Sequence, residues 1–244
     1  MTLTVKKPRT AEEILLLQHR RARAAELAKK VVCVILVLIT LVPFYISVIY
    51  SIKYKNEITI SHLAWPKNPT LDNYIRVITE NEQFLVGLKN SVLTTVPTIF
   101  LLMIVCSMAA WVLARNNTRF YNLMYVIMTM GTLIPFQCIM LPLYLNMFKV
   151  GLVSTNLGFI IARAGLQVSI SILVITSFVK TVPRELEQAA EIDGCGKFGI
   201  FWKIVFPLLK PINATQLVLN TVYVWNDYNT AVVLLRDKAS RTLP

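Results

Sequence analysis

The chain is poor in the side chains that carry out chemistry. It has two histidines, His19 and His62, and four cysteines, Cys33, Cys106, Cys138 and Cys195. The cysteines have neither metal-ligand spacing nor the spacing of a disulfide framework. The histidines fall on opposite predicted sides of a membrane, which argues against a shared metal site. No nucleophile stands beside a base, and the pattern GxxxxGK[ST] is absent, so there is no P-loop to cradle ATP phosphates. Gly194-Cys195-Gly196-Lys197-Phe198-Gly199 does satisfy GxGxxG. Dinucleotide binding, however, needs a strand before that motif inside a βαβ unit. Here a helix following an apolar run precedes it, and the match is set aside. No catalytic residue, cofactor site or metal site is expected.

Acidic residues are also scarce: 13 Asp and Glu stand against 25 Lys and Arg, a net charge of +12. Such a balance can indicate nucleic acid. Here the basic residues gather at the ends of apolar runs, where membrane topology puts them, so no nucleic-acid partner is expected. What the chain does have is hydrophobic bulk, 55% of its 244 residues, with a mean hydropathy of +0.59. Several runs reach the roughly 20 apolar residues that a bilayer-spanning helix needs. The expected fold is therefore an all-α integral membrane bundle.

Residues 1–30 read as a basic cytoplasmic tail, carrying Lys6, Lys7, Arg9, Arg20, Arg21, Arg23, Lys29 and Lys30. It lacks the short apolar core and cleavage pattern of a removable signal peptide. Residues 31–244 read as one transmembrane domain with five spans, about 31–52, 90–114, 120–145, 157–179 and 208–235. A polar outer loop, 53–89, holds a short helix at 71–78. The second span is expected to kink or unwind near Pro97, and the third to bend at Gly131, Pro135 and Pro142. With the N-terminus inside, the excess of Lys and Arg falls on inner segments, and residues 180–207 face the cytoplasm.

That inner segment, 180–207, interrupts two apolar runs with charge and glycine. Pro183 suits a first helical turn, and Glu185 and Glu187 lie where the helix dipole favours anions. Ala189 and Ala190 form a small-residue face, and Asp193-Gly194 supplies a stop. A second helix through Phe198, Phe201, Trp202 and Val205 is expected to end at Pro207. The whole reads as a helix–turn–helix peg to which another protein docks.

The peg resembles the EAA loop of ABC importer permeases: Gln188-Ala189-Ala190, then Gly194, then Ile204-Val205-Phe206-Pro207 stand at that family's spacing. Gln188 replaces the family's Glu and Phe206 its Leu; Glu187 or Glu191 is left to take over the lost acid. Further landmarks are similar to sugar-importer permeases of the maltose type: Ser51-Ile52-Lys53, Leu71-Asp72-Asn73-Tyr74, Asn90-Ser91, Ala114-Arg115, Pro142-Leu143-Tyr144 and Trp225-Asn226-Asp227. The resemblance implies a permease subunit that does no chemistry itself. Its implied partners are a second homologous permease subunit, two ABC ATPase subunits, an extracytoplasmic substrate-binding protein and the lipid bilayer of the cell membrane. Coupling to the ATPase falls on Glu187, Gln188, Ala189, Ala190, Asp193, Gly194 and Pro207. The family usually continues into a sixth span, so a shortened product is expected.

The fifth span carries Asn213, Gln216, Asn220, Tyr223 and Asp227 at offsets of three and four, a sector roughly 80° wide. Polar groups at membrane depth must face protein or water. The stripe therefore either lines a sugar path or binds packed helices together, and the residues alone leave both open. Arg163, a turn or two into the fourth span, is expected to snorkel to the outer headgroups, with a role in the pathway as the alternative, and Trp225 to anchor at the interface rather than form a sugar-stacking platform. Two other classes stay in view: an ion-coupled secondary transporter, which would favour mid-membrane carboxylates, and a non-transporting assembly subunit.

Overall fold

The computed structural model describes residues 11–243, and every regular element among them is helical. The first ten residues of the basic tail, with Lys6, Lys7 and Arg9, lie outside the described residues. The chain divides into two compact units, Met1–Glu80 and Asn81–Pro244.

The first unit is dominated by α1 (Ala11–Ser51), a 41-residue helix that carries the basic segment without interruption into the apolar run. Its stretch Ala22–Ser51 is long and apolar enough to cross a membrane. Side chains around its whole circumference, from Val31 to Val48, stand exposed, the pattern of a helix that contacts lipid or another apolar body. Two short helices follow, α2 (Lys55–Ile60) and α3 (Asp72–Thr79). The family landmarks tie this segment together. Asn73 Nδ2 donates to Ser51 O at 3.1 Å and to Lys53 O at 2.8 Å. The buried Lys53 ammonium donates to Ser61 O at 2.9 Å. The expected loop is thus ordered by its polar side chains.

The second unit is built on the pair α4 (Glu82–Arg115) and α7 (Asn156–Val179). Leu102, Cys106 and Ala110, four residues apart on α4, meet Ile172, Ile175 and Val179 of α7 in the core. This spacing places each set on one helical face. The second span is longer than expected and begins at Glu82 rather than 90, because Asn81 caps it by accepting from Phe84 N at 3.1 Å. The helix is unbroken through Pro97, so the expected unwinding does not occur.

The expected third span is two helices, α5 (Arg119–Met130) and α6 (Phe136–Lys149), set at 104°. Pro135 disfavours the helical region for Ile134, whose φ/ψ of −85°/114° is extended. Pro142, by contrast, lies inside α6 without ending it. Among the described residues three helices are long and apolar enough to span, four if the bent pair counts as one. The fifth expected span is also divided, into α11 (Lys210–Trp225) and α12 (Tyr228–Leu234). At 16 residues α11 is about 24 Å long, short of a typical hydrocarbon core.

Between α7 and α11 lie α8 (Glu185–Ile192) and α9 (Lys197–Ile200). Gly194 makes the turn with φ +81°, a conformation that costs little only for glycine. Pro183 sits one residue before the α8 cap rather than in its first turn. After α9 the helix does not end at Pro207: a π turn, Phe201–Val205, leads into α10 (Phe206–Leu208). Phe201, Val205 and Leu209 are buried against the α4–α7 core.

Candidate functional site

The two helix breaks meet in the second unit. The α5–α6 elbow and the α11–α12 junction, with α7 between them, border an open cavity of about 620 Å³. Its wall carries amides (Gln167, Asn226, Asn229), hydroxyls (Thr132, Thr230) and two aromatic rings (Phe136, Tyr223). The junction is built by Asp227, whose Oδ1 accepts from Thr230 N at 3.1 Å and so caps α12. Asp227 therefore ends the polar stripe instead of continuing it around α11.

Arg163 corrects the sequence reading most directly. It does not snorkel outward. Its Nε lies 3.1 Å from Asp227 Oδ2, with both side chains largely buried, and its Nη2 donates to Tyr223 O at 3.0 Å. The guanidinium thus ties α7 to the last turn of α11 and to the junction beyond it. An Arg and an Asp, each in a separate apolar run, already signal such a partnership, since ionisable groups at membrane depth pair with one another.

The rest of the stripe packs inside the chain. Asn213, Gln216 and Asn220 are buried. Asn213 Oδ1 accepts from Ser107 Oγ of α4 at 3.1 Å, and Asn220 Nδ2 donates to Gln216 Oε1 at 3.1 Å and lies 3.5 Å from Ser171 Oγ of α7. These contacts join α11 to α4 and α7. Tyr223 alone is exposed, at 58%, on the cavity side.

At the peg, the expected coupling residues separate into two groups. Glu187 points inward: its carboxylate accepts from Trp111 Nε1 at 2.8 Å and pairs with Arg115 at 2.6 Å. Arg115 also donates to Val182 O at 2.9 Å. Ala190 is buried in the core cluster, and Pro207 is half-buried in the helical run. Gln188, Ala189, Glu191, Asp193 and Gly194 are exposed. So are two large apolar side chains absent from the expected coupling residues, Ile192 at 87% and Phe198 at 73%. Leucine- or isoleucine-sized side chains at a turn beside Gly194 were a usable signal. Among the described residues no group of His, Cys, Asp and Glu could hold a metal ion.

Residues 106–243, which contain both the cavity and the peg, match the family described as binding-protein-dependent transport system inner membrane component, and the chain belongs to that family. It is a membrane-embedded transport subunit, not an enzyme. It is 35% identical over 213 residues to the multiple sugar-binding transport system permease protein MsmG of Streptococcus mutans, covering 85% of this chain and 75% of that one. It is 33% identical over 203 residues to the melibiose/raffinose/stachyose import permease protein MelC of Bacillus subtilis, covering 83% and 73%. A crystal structure of a bacterial ABC transporter involved in the import of the acidic polysaccharide alginate contains a chain of the same fold. The TM-score is 0.81 at 25% identity, covering 96% of this chain and 79% of that one.

Proposed function

We propose that the chain is the membrane-spanning permease subunit of an ATP-driven ABC importer and that it passes a sugar through the cavity at the two helix breaks. The observation that supports this most is the wall itself. Amides and hydroxyls beside the exposed Tyr223 ring and the half-buried Phe136 ring offer hydrogen bonds to sugar hydroxyls and faces for the ring carbons. The buried stripe Asn213, Gln216 and Asn220 then holds the helices that form the path, and Tyr223 with the Asp227 junction faces the substrate.

The partners are a second permease subunit, two ATPase subunits and an extracytoplasmic binding protein. The N-terminus and peg face the cytoplasm, across the cell's inner membrane. The ATPase grips the exposed face of the peg, Gln188, Ala189 and Glu191 together with Ile192 and Phe198, and turns at Gly194. Closure of the ATPases on ATP moves the pegs and reorients the path; hydrolysis resets it. Glu187 acts behind that face by fastening α8 to α4. No cofactor belongs to this chain.

An ion-coupled carrier is less well supported, because Asp227, the one carboxylate lining the cavity, already pairs with Arg163. Reconstitution with its ATPase and binding protein tests the reading. ATP-dependent uptake of maltotriose or raffinose that survives ionophores is expected. Uptake that collapses with the ion gradient and ignores ATP would overturn it.

A further inference from the structure

Two charges face the 620 Å³ cavity, and they oppose each other. Arg163 and Asp227 stand 3.1 Å apart, their side chains 12% and 7% exposed. No other residue of the lining carries a charge. Both groups are held from behind: Asp227 Oδ1 by the Thr230 amide, and Arg163 Nη2 by Tyr223 O. No protein acceptor among the described residues engages Arg163 Nη1, so the guanidinium keeps donors to spare.

We propose that the Arg163–Asp227 pair is a charge filter that confines the cavity to neutral saccharides, and that removing the carboxylate converts the same cavity to one that accepts acidic saccharides. The inference rests on reading the cavity as the sugar path. A sugar hydroxyl can accept from the spare N–H without disturbing the pair. A uronate carboxylate arriving there would meet Asp227 at close range in a poorly solvated site, where like charges repel strongly. With that carboxylate gone, an uncompensated guanidinium would pair with the uronate in the bidentate manner arginine favours. The fold by itself does not decide between the two, since a structural relative serves the import of an acidic polysaccharide.

The test uses the importer complex in lipid nanodiscs without its binding protein, so that the cavity alone discriminates. The probes are maltotriose and maltotriose oxidised at its C6 hydroxyls to uronates, with binding measured by equilibrium dialysis. The wild-type complex is expected to bind the neutral probe and reject the acidic one. Asp227→Asn, which can still accept from the Thr230 amide, should gain at least about tenfold in affinity for the acidic probe, with a steep dependence on salt. The double variant Arg163→Gln/Asp227→Asn carries neither charge, offers nothing to compensate a desolvated carboxylate, and should reject it. Equal affinity of the wild type for both probes would overturn the filter while leaving the path standing. So would an Asp227→Asn complex that still excludes the uronate but binds the neutral sugar. If neither probe binds the wild type, and Tyr223→Ala and Asn229→Ala leave reconstituted sugar uptake unchanged, the path reading fails and the filter with it.

Discussion

Glu187 and Glu191 are one helical turn apart on α8 and do different work. Glu187 accepts from Trp111 and Arg115, so its loss strands two donors at a half-buried site. Glu187→Ala should cost on the order of 2 kcal/mol, visible as a lower melting temperature of the purified complex. Glu191 is exposed, and Glu191→Ala should leave that temperature unchanged while lowering sugar-stimulated ATP hydrolysis. Equal melting points for the two variants would refute the division of labour. The sequence left these acids undistinguished, because a carboxylate's role at a surface helix depends on which neighbour it meets. That neighbour, Arg115, is 72 residues away. Arg163 was misread for a similar reason: snorkelling follows from depth alone, whereas pairing needs the partner helix in place.

Among the elements, the long helices were legible and the broken ones only partly so. Uniform apolar runs gave α1, α4 and α7 to within a turn at most ends, since length and hydropathy determine a span. The stretch 120–145 was expected to bend at any of Gly131, Pro135 and Pro142, yet the chain breaks at the first two and runs straight past the third. A proline in a helix is tolerated when neighbours resatisfy the freed carbonyl, and sequence does not name the neighbours. The division of 208–235 had a signal in Asp227-x-x-Thr230, a helix cap hidden inside an apolar pattern. Glycine packing tests how firmly α7 is seated. A Cβ at Gly158 would lie 2.0 Å from Leu152 O, a backbone atom, whereas one at Gly131 would meet only the Ser169 side chain, its Oγ at 2.3 Å and its Cβ at 3.3 Å. Gly158→Ala should therefore destabilise the purified subunit by about 1–3 kcal/mol. Gly131→Ala should cost less and be rescued by Ser169→Ala, as followed by thermal aggregation in detergent. A rescue that fails would show that the elbow itself, not the hydroxyl, resists the extra carbon.

For the molecule as a whole, sidedness is the property most exposed to experiment. In the proposed orientation, the excess of Lys and Arg puts the basic start of α1 and the peg on the cytoplasmic side, with the apolar part of α1 crossing the membrane. In a background with the four cysteines replaced, Lys197→Cys should react with a membrane-impermeant maleimide in inside-out vesicles and stay unlabelled in right-side-out ones. Labelling from outside would remove the peg from reach of any ATPase. Family and transport role were readable because they rest on spaced motifs and hydropathy, which survive without tertiary structure. The cavity was not, because it is formed by two breaks more than 90 residues apart that α7 brings to the same place.

The π turn at Phe201–Val205 bears on how a push at the peg travels. Phe201, Val205 and Leu209 recur every fourth residue and are buried in the cluster that also holds the core side chains of α4 and α7, each no more than 1% exposed. Sliding this segment along its axis would draw three side chains out at once. A roll about the same row leaves all three seated, and the slack hydrogen-bond pattern of the π turn gives torsion somewhere to go. Motion delivered to the peg should thus arrive at α11 as rotation rather than as a piston stroke.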